Sequence, residues 1–209
     1  NEITPPSNYR SEISFEKWLI KNKKACITGI DTRILTKDIR DSGASNCLIH
    51  FPKGKVEELN TLKTILEKFP KMEGCDLATK VSTKKIYSWK NRKKKYLTQK
   101  NIKKKFIAVI DFGIKNNILN ILESIKYDLV VFPCNYPVKE ILSMAPKGIF
   151  LSNGPGDPKA IYKKYKSSFD LLKNIEIPIF GICLGHQILS LMFGALTKKM
   201  HNGHRGANH

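Results

Sequence analysis

The segment PIFGICLGHQ, residues 178–187, decides the fold, because an apolar strand runs directly into an apolar helix within it. Cys183 lies at the junction, and Gly181 and Gly185 stand two residues away on either side. This is the spacing of a nucleophile elbow, a turn so sharp that the residue at its tip is exposed at the end of the strand. Glycines are needed there because the backbone folds back on itself. The segment therefore predicts an α/β fold with a reactive cysteine at its centre.

Cys183 has two interpretations. An isolated cysteine in an apolar run is most often a buried thiol that packs as a small hydrophobe. At the start of a helix, however, the positive end of the helix dipole favours the thiolate, and free N–H groups are available to bind an oxyanion. The paired glycines favour the nucleophile. The other four cysteines lack this setting and are interpreted as packing residues: Cys26, Cys47, Cys75 and Cys134.

Strands alternate with helices from residue 106 onward. Apolar, β-branched runs predict strands at 106–111, 128–133, 148–152 and 177–182. Apolar residues at helical spacing predict helices at 114–125, 138–144, 161–175 and 184–193. Such alternation is typical of a parallel sheet with helices on both faces, and ligands bind such sheets at the carboxyl ends of the strands.

The segment SNGPGDP, residues 152–158, follows the third of these strands. Its two glycines and two prolines predict a rigid loop on the same sheet edge as the elbow. Taken alone, such a segment is most often only a turn. Because it stands one strand before the elbow, an N–H group of Gly154 or Gly156 is expected to approach a ligand with no side chain in the way.

The first part of the chain has mixed signals. Helices are predicted at 15–23, 36–43 and 59–69, and a strand at 46–51. The polar, lysine-rich stretch 91–105 is interpreted as a linker. Residues 1–103 are therefore expected to hold part of a smaller α+β domain and a linker, and residues 104–209 the beginning of the α/β domain.

The pair LSNGPGDP and PIFGICLGHQ closely resembles the class I (triad) glutamine amidotransferases. A narrower resemblance, to the small chains of carbamoyl-phosphate synthase, rests on IDTRILTKDIRDSG (30–43), GCDLATKVSTKKIYSW (74–89), AVIDFGIKNNIL (108–119) and GHRGANH (203–209). The resemblance covers nearly the whole sequence, and the N-terminal segments have no counterpart in other amidotransferases. It implies a flavodoxin-like, mostly parallel sheet in the amidotransferase domain.

The resemblance also implies roles for five residues. Cys183 would attack the side-chain amide of L-glutamine, forming a glutamyl thioester and releasing ammonia. The backbone N–H groups of Leu184 and Gly156 would bind the oxyanion, and Gly154 and Gln187 would bind glutamine. Without the family, Gln187 is most simply an exposed helix residue.

The partner implied by the resemblance is the large synthetase subunit, which would use the ammonia to make carbamoyl phosphate for arginine and pyrimidine synthesis. The resemblance implies that ATP and magnesium bind to that subunit, and the lack of a GxxxxGK[ST] phosphate loop in this sequence is consistent with this expectation. No cofactor and no metal are expected in this chain. His201, His204 and His209 are spaced like a metal cluster but lack the carboxylate or thiolate that such sites usually add.

A cysteine amidase also needs a general base, usually a histidine oriented by a carboxylate. In this family both lie in an HPE-like motif well beyond the elbow, and neither His50 nor His186 nor the three histidines after residue 200 stands in such a motif. The family's glutamine-binding serine near the start also has no match. The sequence therefore resembles an internal fragment, and negligible glutaminase activity is expected of the 209-residue chain alone.

The net charge of +19 comes from lysines in scattered pairs and short runs without interleaved aromatic residues. We therefore expect no nucleic-acid site. No run of about 18 apolar residues and no apolar signal segment occurs, so no membrane span and a cytoplasmic location are expected. Three alternatives remain open: a glutaminase serving another synthase, a non-catalytic assembly subunit that keeps the elbow as structure, and a basic nucleic-acid-binding module.

Overall fold

The computed structural model describes residues 2–103, 105–125 and 127–203, and the chain divides into two compact units. The described residues of the first unit are 2–66 and 199–203. The second unit comprises residues 67–198, apart from positions 104 and 126. Both motifs of the sequence lie in the second unit.

The described residues of the first unit form three helices: α1 (Phe15–Lys21), α2 (Thr32–Ser42) and α3 (Leu59–Glu67), of which the last residue already belongs to the second unit. They confirm the helices predicted in this part of the chain. The strand predicted at 46–51 is wrong, because this segment has no regular secondary structure. A strand needs a hydrogen-bonded neighbour, and the described residues of this unit form no other strand with which it could pair.

The second unit is built on a six-stranded sheet. The strands are β1 (Tyr87–Lys90), β2 (Lys93–Tyr96), β3 (Phe106–Asp111), β4 (Asp128–Pro133), β5 (Gly148–Leu151) and β6 (Ile179–Gly181). Their order is β2-β1-β4-β3-β5-β6, in which β3 to β6 are parallel and β1 is antiparallel to both of its neighbours. Within the parallel part the second strand lies beside the first and the third on its other side, which is the flavodoxin-like order. The predicted α/β class is confirmed.

The helices of this unit are α4 (Ala78–Val81), α5 (Asn116–Leu122), α6 (Val138–Ser143), α7 (Pro158–Lys164), α8 (Lys166–Asp170) and α9 (Leu184–Met192). The helix predicted at 161–175 begins three residues earlier, because Asp157 caps it and Pro158 suits the first turn. It is also interrupted at Tyr165, which has non-helical dihedral angles.

The stretch predicted as a linker is largely structured, so that prediction is wrong for its first half. β1 and β2 form a hairpin whose two turn residues, Asn91 and Arg92, have φ angles of 51° and 59°. Positive φ at both turn positions is typical of the type I′ turn that suits a two-residue hairpin loop. The hairpin extends the sheet through the pairing of Tyr87 with Val131. The domain boundary at 103/104 stays a prediction.

The core of the second unit lies on both faces of the sheet. The larger apolar cluster includes Ala108 and Ile110 of β3 and buries Ile161 of α7 and Ile188 of α9. The smaller cluster contains Val109 of β3, whose side chain points to the opposite face, and Leu119 of α5. Helices therefore cover both faces, as the alternation of strands and helices predicted. Among the described residues, no helix has the length and apolarity required to cross a membrane.

Candidate active site at the strand–helix elbow

The elbow holds its central cysteine in a strained backbone conformation. Cys183 follows β6 and directly precedes α9, with φ 52° and ψ −110°. A residue other than glycine held at positive φ costs about 1–3 kcal/mol, and such strain persists only where the surroundings impose it. The side chain of Cys183 is exposed. Strand, turn and helix thus have the predicted geometry, with the thiol accessible at the turn.

The two glycines of the elbow are required by close backbone contacts. A Cβ atom on Gly185 would lie 2.1 Å from the carbonyl oxygen of Leu151, at the end of β5. A Cβ atom on Gly181 would lie 2.7 Å from the carbonyl carbon and oxygen of Gly185. Because the opposing atoms belong to the backbone, no side-chain rotation relieves either clash. The two glycines therefore allow strand and helix to approach each other closely on either side of Cys183.

The first turn of α9 places the remaining elbow residues. Leu184 is buried, whereas His186 and Gln187 are exposed. The backbone N–H of Gln187 donates to the carbonyl oxygen of Cys183 over 3.0 Å, which starts the helix at the cysteine. The side chain of Gln187 is thus available on the exposed face of the helix.

The loop 152–158 begins beside the elbow. The backbone N–H of Gly185 donates to the carbonyl oxygen of Ser152 over 3.0 Å. Gly154 lies against the residue that follows β3, since a Cβ atom there would stand 2.1 Å from the carbonyl oxygen of Phe112. Gly156 has φ 107°, and a Cβ atom there would stand 2.8 Å from the carbonyl oxygen of Cys75. Both glycines that the resemblance assigns to the site are needed for close packing of the loop.

Sequence reasoning missed two polar residues that shape this sheet edge. The buried carboxylate of Asp111, at the end of β3, accepts hydrogen bonds of 2.8 Å from the N–H groups of Gly113, Ile114 and Thr83. The buried hydroxyl of Ser152 accepts from the N–H of Phe112 over 2.8 Å and donates to the carbonyl oxygen of Asn153 over 2.7 Å. A charged residue at the end of an otherwise apolar strand was the available signal for Asp111.

Residues 74–79, which we call the strap, were also missed as part of the site. The strap packs against Gly156 and forms hydrogen bonds with Asp157, the residue after Gly156. Asp76 of the strap forms an ion pair of 2.7 Å with Lys164 of α7. Burial alone would raise the pKa of Asp76, but hydrogen bonds from Lys164 and Thr79 outweigh burial and lower it below its usual value. The carboxylate therefore stays ionised and keeps the strap attached to α7.

The remaining cysteines differ from the prediction in part. Cys134 is buried, and burial raises the pKa of its thiol, which suits a packing residue. Cys75 is half-buried and donates to the carbonyl oxygen of Lys71. Cys26 and Cys47 are exposed, so the packing interpretation is wrong for these two. Their segments lie in the first unit, where few side chains are buried.

Among the described residues of the second unit, the one histidine is His186, which is exposed on α9 three positions after Cys183. His50 and His201 belong to the first unit, where the ring of His201 lies 3.2 Å from the carbonyl oxygen of Arg40. His204 and His209, which entered the metal interpretation, lie outside the described residues. Within the part of the chain that the structure describes, no three His, Cys, Asp or Glu side chains are grouped as a metal site.

Comparison with known proteins adds two family matches. The family model "Carbamoyl-phosphate synthase small chain, CPSase domain" matches residues 1–49, and "Glutamine amidotransferase class-I" matches residues 108–209. The carbamoyl phosphate synthase small chain of Bartonella henselae is 44% identical over 213 residues, covering 100% of this chain and 53% of that protein. The chain belongs to the carbamoyl-phosphate synthase small-chain family. The family resemblance of the sequence is thereby confirmed.

Two further members of the small-chain family have similar identity. The small chain of Zymomonas mobilis is 40% identical, with 100% of this chain and 57% of that protein covered. The small chain of Mesorhizobium japonicum is 41% identical, with 100% and 53% covered. The chain therefore spans about half the length of the curated small chains that it matches. The amidotransferase match includes the elbow and the loop 152–158.

Proposed function

We propose that this chain contributes the glutamine-hydrolysing site of a carbamoyl-phosphate synthase, with Cys183 as the nucleophile. The observation that carries the proposal is the strained, exposed position of Cys183 between two glycines that tolerate no side chain. A structural cysteine needs neither the strain nor the exposure. The family match over residues 108–209 supports the same site.

The chemistry begins when the thiolate of Cys183 adds to the side-chain amide carbon of L-glutamine. The resulting tetrahedral oxyanion accepts hydrogen bonds from the N–H groups of Leu184 and Gly156. Each such donor is worth about 10²–10³-fold in rate in an enzyme where one was removed. The C–N bond then breaks, the amine takes up a proton and leaves as ammonia, and water hydrolyses the glutamyl thioester to glutamate and free thiolate.

Gly154 and Gln187 are proposed to hold glutamine for this reaction. Gln187 is exposed one turn into α9, and its backbone is fixed to Cys183 by the first hydrogen bond of the helix. The proton transfers require a base that we assign to no described residue. We accordingly propose that the 209-residue chain alone releases ammonia at a negligible rate, and measurable steady-state release from the purified chain would contradict this.

The ammonia is proposed to pass to the large synthetase subunit, which carries the ATP and magnesium sites and makes carbamoyl phosphate. The match of residues 1–49 to the CPSase domain of small chains supports this partner over the synthases served by other amidotransferases. Co-purification of the chain with a large subunit, and glutamine-dependent synthesis of carbamoyl phosphate by the pair, would test the assignment.

The nucleophile is tested with a chloroketone analogue of glutamine. The thiolate adds to the ketone carbon of this analogue, and the alkylation that follows expels chloride. The test uses the 209-residue chain and the longest native polypeptide that contains it. We expect saturable labelling of Cys183 alone, protection by L-glutamine, and no labelling after Cys183→Ser. Labelling of Cys26, Cys47 and Cys183 alike, without protection, would favour a non-catalytic assembly subunit.

A further inference from the structure

The loop 152–158 is held at both ends, and Gly156 lies between the two attachments. At the first end, the side chain of Asn153 donates to the carbonyl oxygen of Gly113 over 3.2 Å, and its oxygen accepts from the N–H of Lys115 over 3.3 Å. At the second end, Asp157 is bound to the strap. Gly156 itself has no side chain with which to fix its own orientation.

Besides the helical hydrogen bond that its carbonyl oxygen accepts from Ile161, Asp157 forms three hydrogen bonds at the second end. Its backbone N–H donates to the carbonyl oxygen of Cys75 over 2.9 Å. One carboxylate oxygen accepts from the N–H of Gly74 over 2.9 Å, and the other accepts from the N–H of Lys159 over 2.8 Å, which caps α7. Asp157 therefore joins two consecutive strap residues to the loop and to the helix at once.

The strap is itself fixed to the helices that follow the loop. Asp76 pairs with Lys164 of α7, and its other contacts fix Thr79. The hydroxyl of Thr79 also lies 3.0 Å from that of Tyr165, between α7 and α8. Gly156 thus rests on a segment that is attached on its far side as well, since a Cβ atom there would meet both Cys75 and Leu77 within 2.9 Å.

We propose that Asp157 is a positioning residue, which together with the strap aims the N–H of Gly156 at the oxyanion. This rests on the proposed function, in which Gly156 is an oxyanion donor. Glycine tolerates many backbone conformations, so its N–H direction is set by the peptide groups on either side. The peptide group that follows Gly156 is held by the hydrogen bond to Cys75, and the carboxylate of Asp157 keeps that part of the strap in place.

The proposal predicts a defined kinetic effect. An oxyanion donor acts on the transition state and hardly on bound glutamine, so misdirecting it lowers the rate of the chemical step and leaves binding nearly unchanged. A misplacement of about 1 Å in an active site can cost about 100-fold in rate. Because the backbone bond from Asp157 to Cys75 would survive a side-chain substitution, we expect a smaller loss of about tenfold.

The experiment uses Asp157→Asn, which replaces one carboxylate oxygen by an NH₂ group. The remaining side-chain oxygen can accept from the N–H of Gly74 or from that of Lys159, so one of these two hydrogen bonds is lost. The rate of alkylation of Cys183 is measured against the concentration of the chloroketone. The rate of alkylation by iodoacetamide is measured in parallel, because this reaction displaces iodide directly, forms no oxyanion and so reports only the reactivity of the thiol. We expect the limiting rate to fall about tenfold, the half-saturating concentration to change by less than about twofold, and the iodoacetamide rate to stay constant. Asp170→Asn is the matched control, since Asp170 also accepts several side-chain hydrogen bonds but makes none with the loop.

A second variant guards against misfolding of the first. Lys164→Gln removes an exposed cation and loosens only the far attachment of the strap, and we expect a loss of about two- to threefold in the same limiting rate. Unchanged limiting rates in both variants would overturn the positioning role while leaving Cys183 as the nucleophile. Equal changes in the chloroketone and iodoacetamide rates would overturn it in favour of a merely structural role. Unsaturable labelling of the unsubstituted chain would overturn the proposed function and this proposal together.

Discussion

The two units resemble the same family but are stabilised in different ways. In the second unit, the sheet is packed on both faces by apolar clusters. In the first unit, Leu19 is the one buried residue among those described, and α2 leaves Ile34, Leu35 and Ile39 exposed. The alignment with the relative from Bartonella henselae spans both units. Similarity to relatives therefore does not tell how much of a segment's stability comes from its own packing.

The stability of each unit can be measured separately, because the chain has two tryptophans, one in each unit. Trp18 lies in α1 of the first unit, and Trp89 lies in β1 of the second and is nearly buried. Single-tryptophan chains made by Trp18→Phe or Trp89→Phe would report urea unfolding of one unit each. For unfolding, each substitution in the second unit is paired with a control substitution in the first, and both are made in these backgrounds.

The largest expected effect is that of Phe169→Ala in α8. The ring is 1% exposed and packs edge-on against Phe112 at 6.0 Å between centroids, so its removal leaves a cavity in the core. We expect the free energy of unfolding, followed by Trp89, to fall by about 4 kcal/mol. Phe51→Ala in the first unit, at a ring 91% exposed, should change the Trp18 transition by less than about 0.5 kcal/mol. Similar losses for both would show that the first unit has more packing than its exposure indicates.

The next effect is that of Gly185→Ala at the elbow. The added methyl group would stand 2.1 Å from the carbonyl oxygen of Leu151, so strand and helix must separate. We expect a loss of about 3 kcal/mol by urea unfolding, together with loss of chloroketone labelling at Cys183. Gly54→Ala in the first unit meets nothing within 4 Å and should leave stability within about 0.5 kcal/mol. A stable, fully labelled Gly185→Ala chain would contradict the elbow geometry.

A smaller effect is expected where the first unit depends on local hydrogen bonds. Asp31 caps α2, since its carboxylate accepts from the N–H groups of Arg33 and Ile34 over 2.9 Å each. Removing such a cap typically costs about 1 kcal/mol, so Asp31→Ala should raise hydrogen exchange of the α2 amides about fivefold. Asp31→Asn, which keeps a capping oxygen, is the control. No change in exchange after Asp31→Ala would mean that tertiary contacts, and not the cap, hold this helix.

The smallest effect concerns pH. Hydrogen bonds from Lys166, then Lys173 and Tyr162, hold the pKa of Asp170 well below its usual range. A depressed pKa means that the ionised carboxylate stabilises the fold above its ordinary pKa of about 4, and that this contribution is lost as pH falls through the folded-state value. Asp170→Asn should therefore lower the unfolding midpoint slightly at neutral pH, and the difference from the unsubstituted chain should shrink in acid.

The control for this pH effect lies in the first unit. Asp41 pairs with Arg40, but both side chains are more than half exposed, so water screens the pair. Asp41→Asn should leave the Trp18 transition unchanged at every pH. A difference between the Asp170→Asn chain and the unsubstituted chain that grows as the pH falls would refute the assigned direction of the Asp170 pKa.

The parts of the fold that could be predicted were those set by local pattern. The alternating strands and helices after residue 106, and the glycines beside Cys183, are determined by residues that stand next to one another. The hairpin was missed because the turn Asn91–Arg92 lacks the glycine that usually marks such a turn, and because lysines dominate β2. Polar composition predicted a linker where hydrogen bonds to β1 make a strand.

The candidate site divides in the same way. The elbow and the loop are contiguous motifs, and their positions followed from the order of the strands. The strap reaches the site through hydrogen bonds between Gly74 and Asp157 and between Asp76 and Lys164, which are 83 and 88 positions apart in sequence. No periodicity in the sequence indicates such pairs. The roles of Cys183 and its neighbours stay predictions until the labelling is done.

Part of the chain's positive charge lies on the β1–β2 hairpin, in the lysines of β2. β2 is one of the two edge strands of the sheet, and all four of its residues, Lys93 to Tyr96, are exposed. An outermost strand offers unpaired backbone groups to any other extended chain, and charged side chains, lysine above all, oppose such pairing. Three consecutive cations on β2 thus protect this border of the sheet against aggregation.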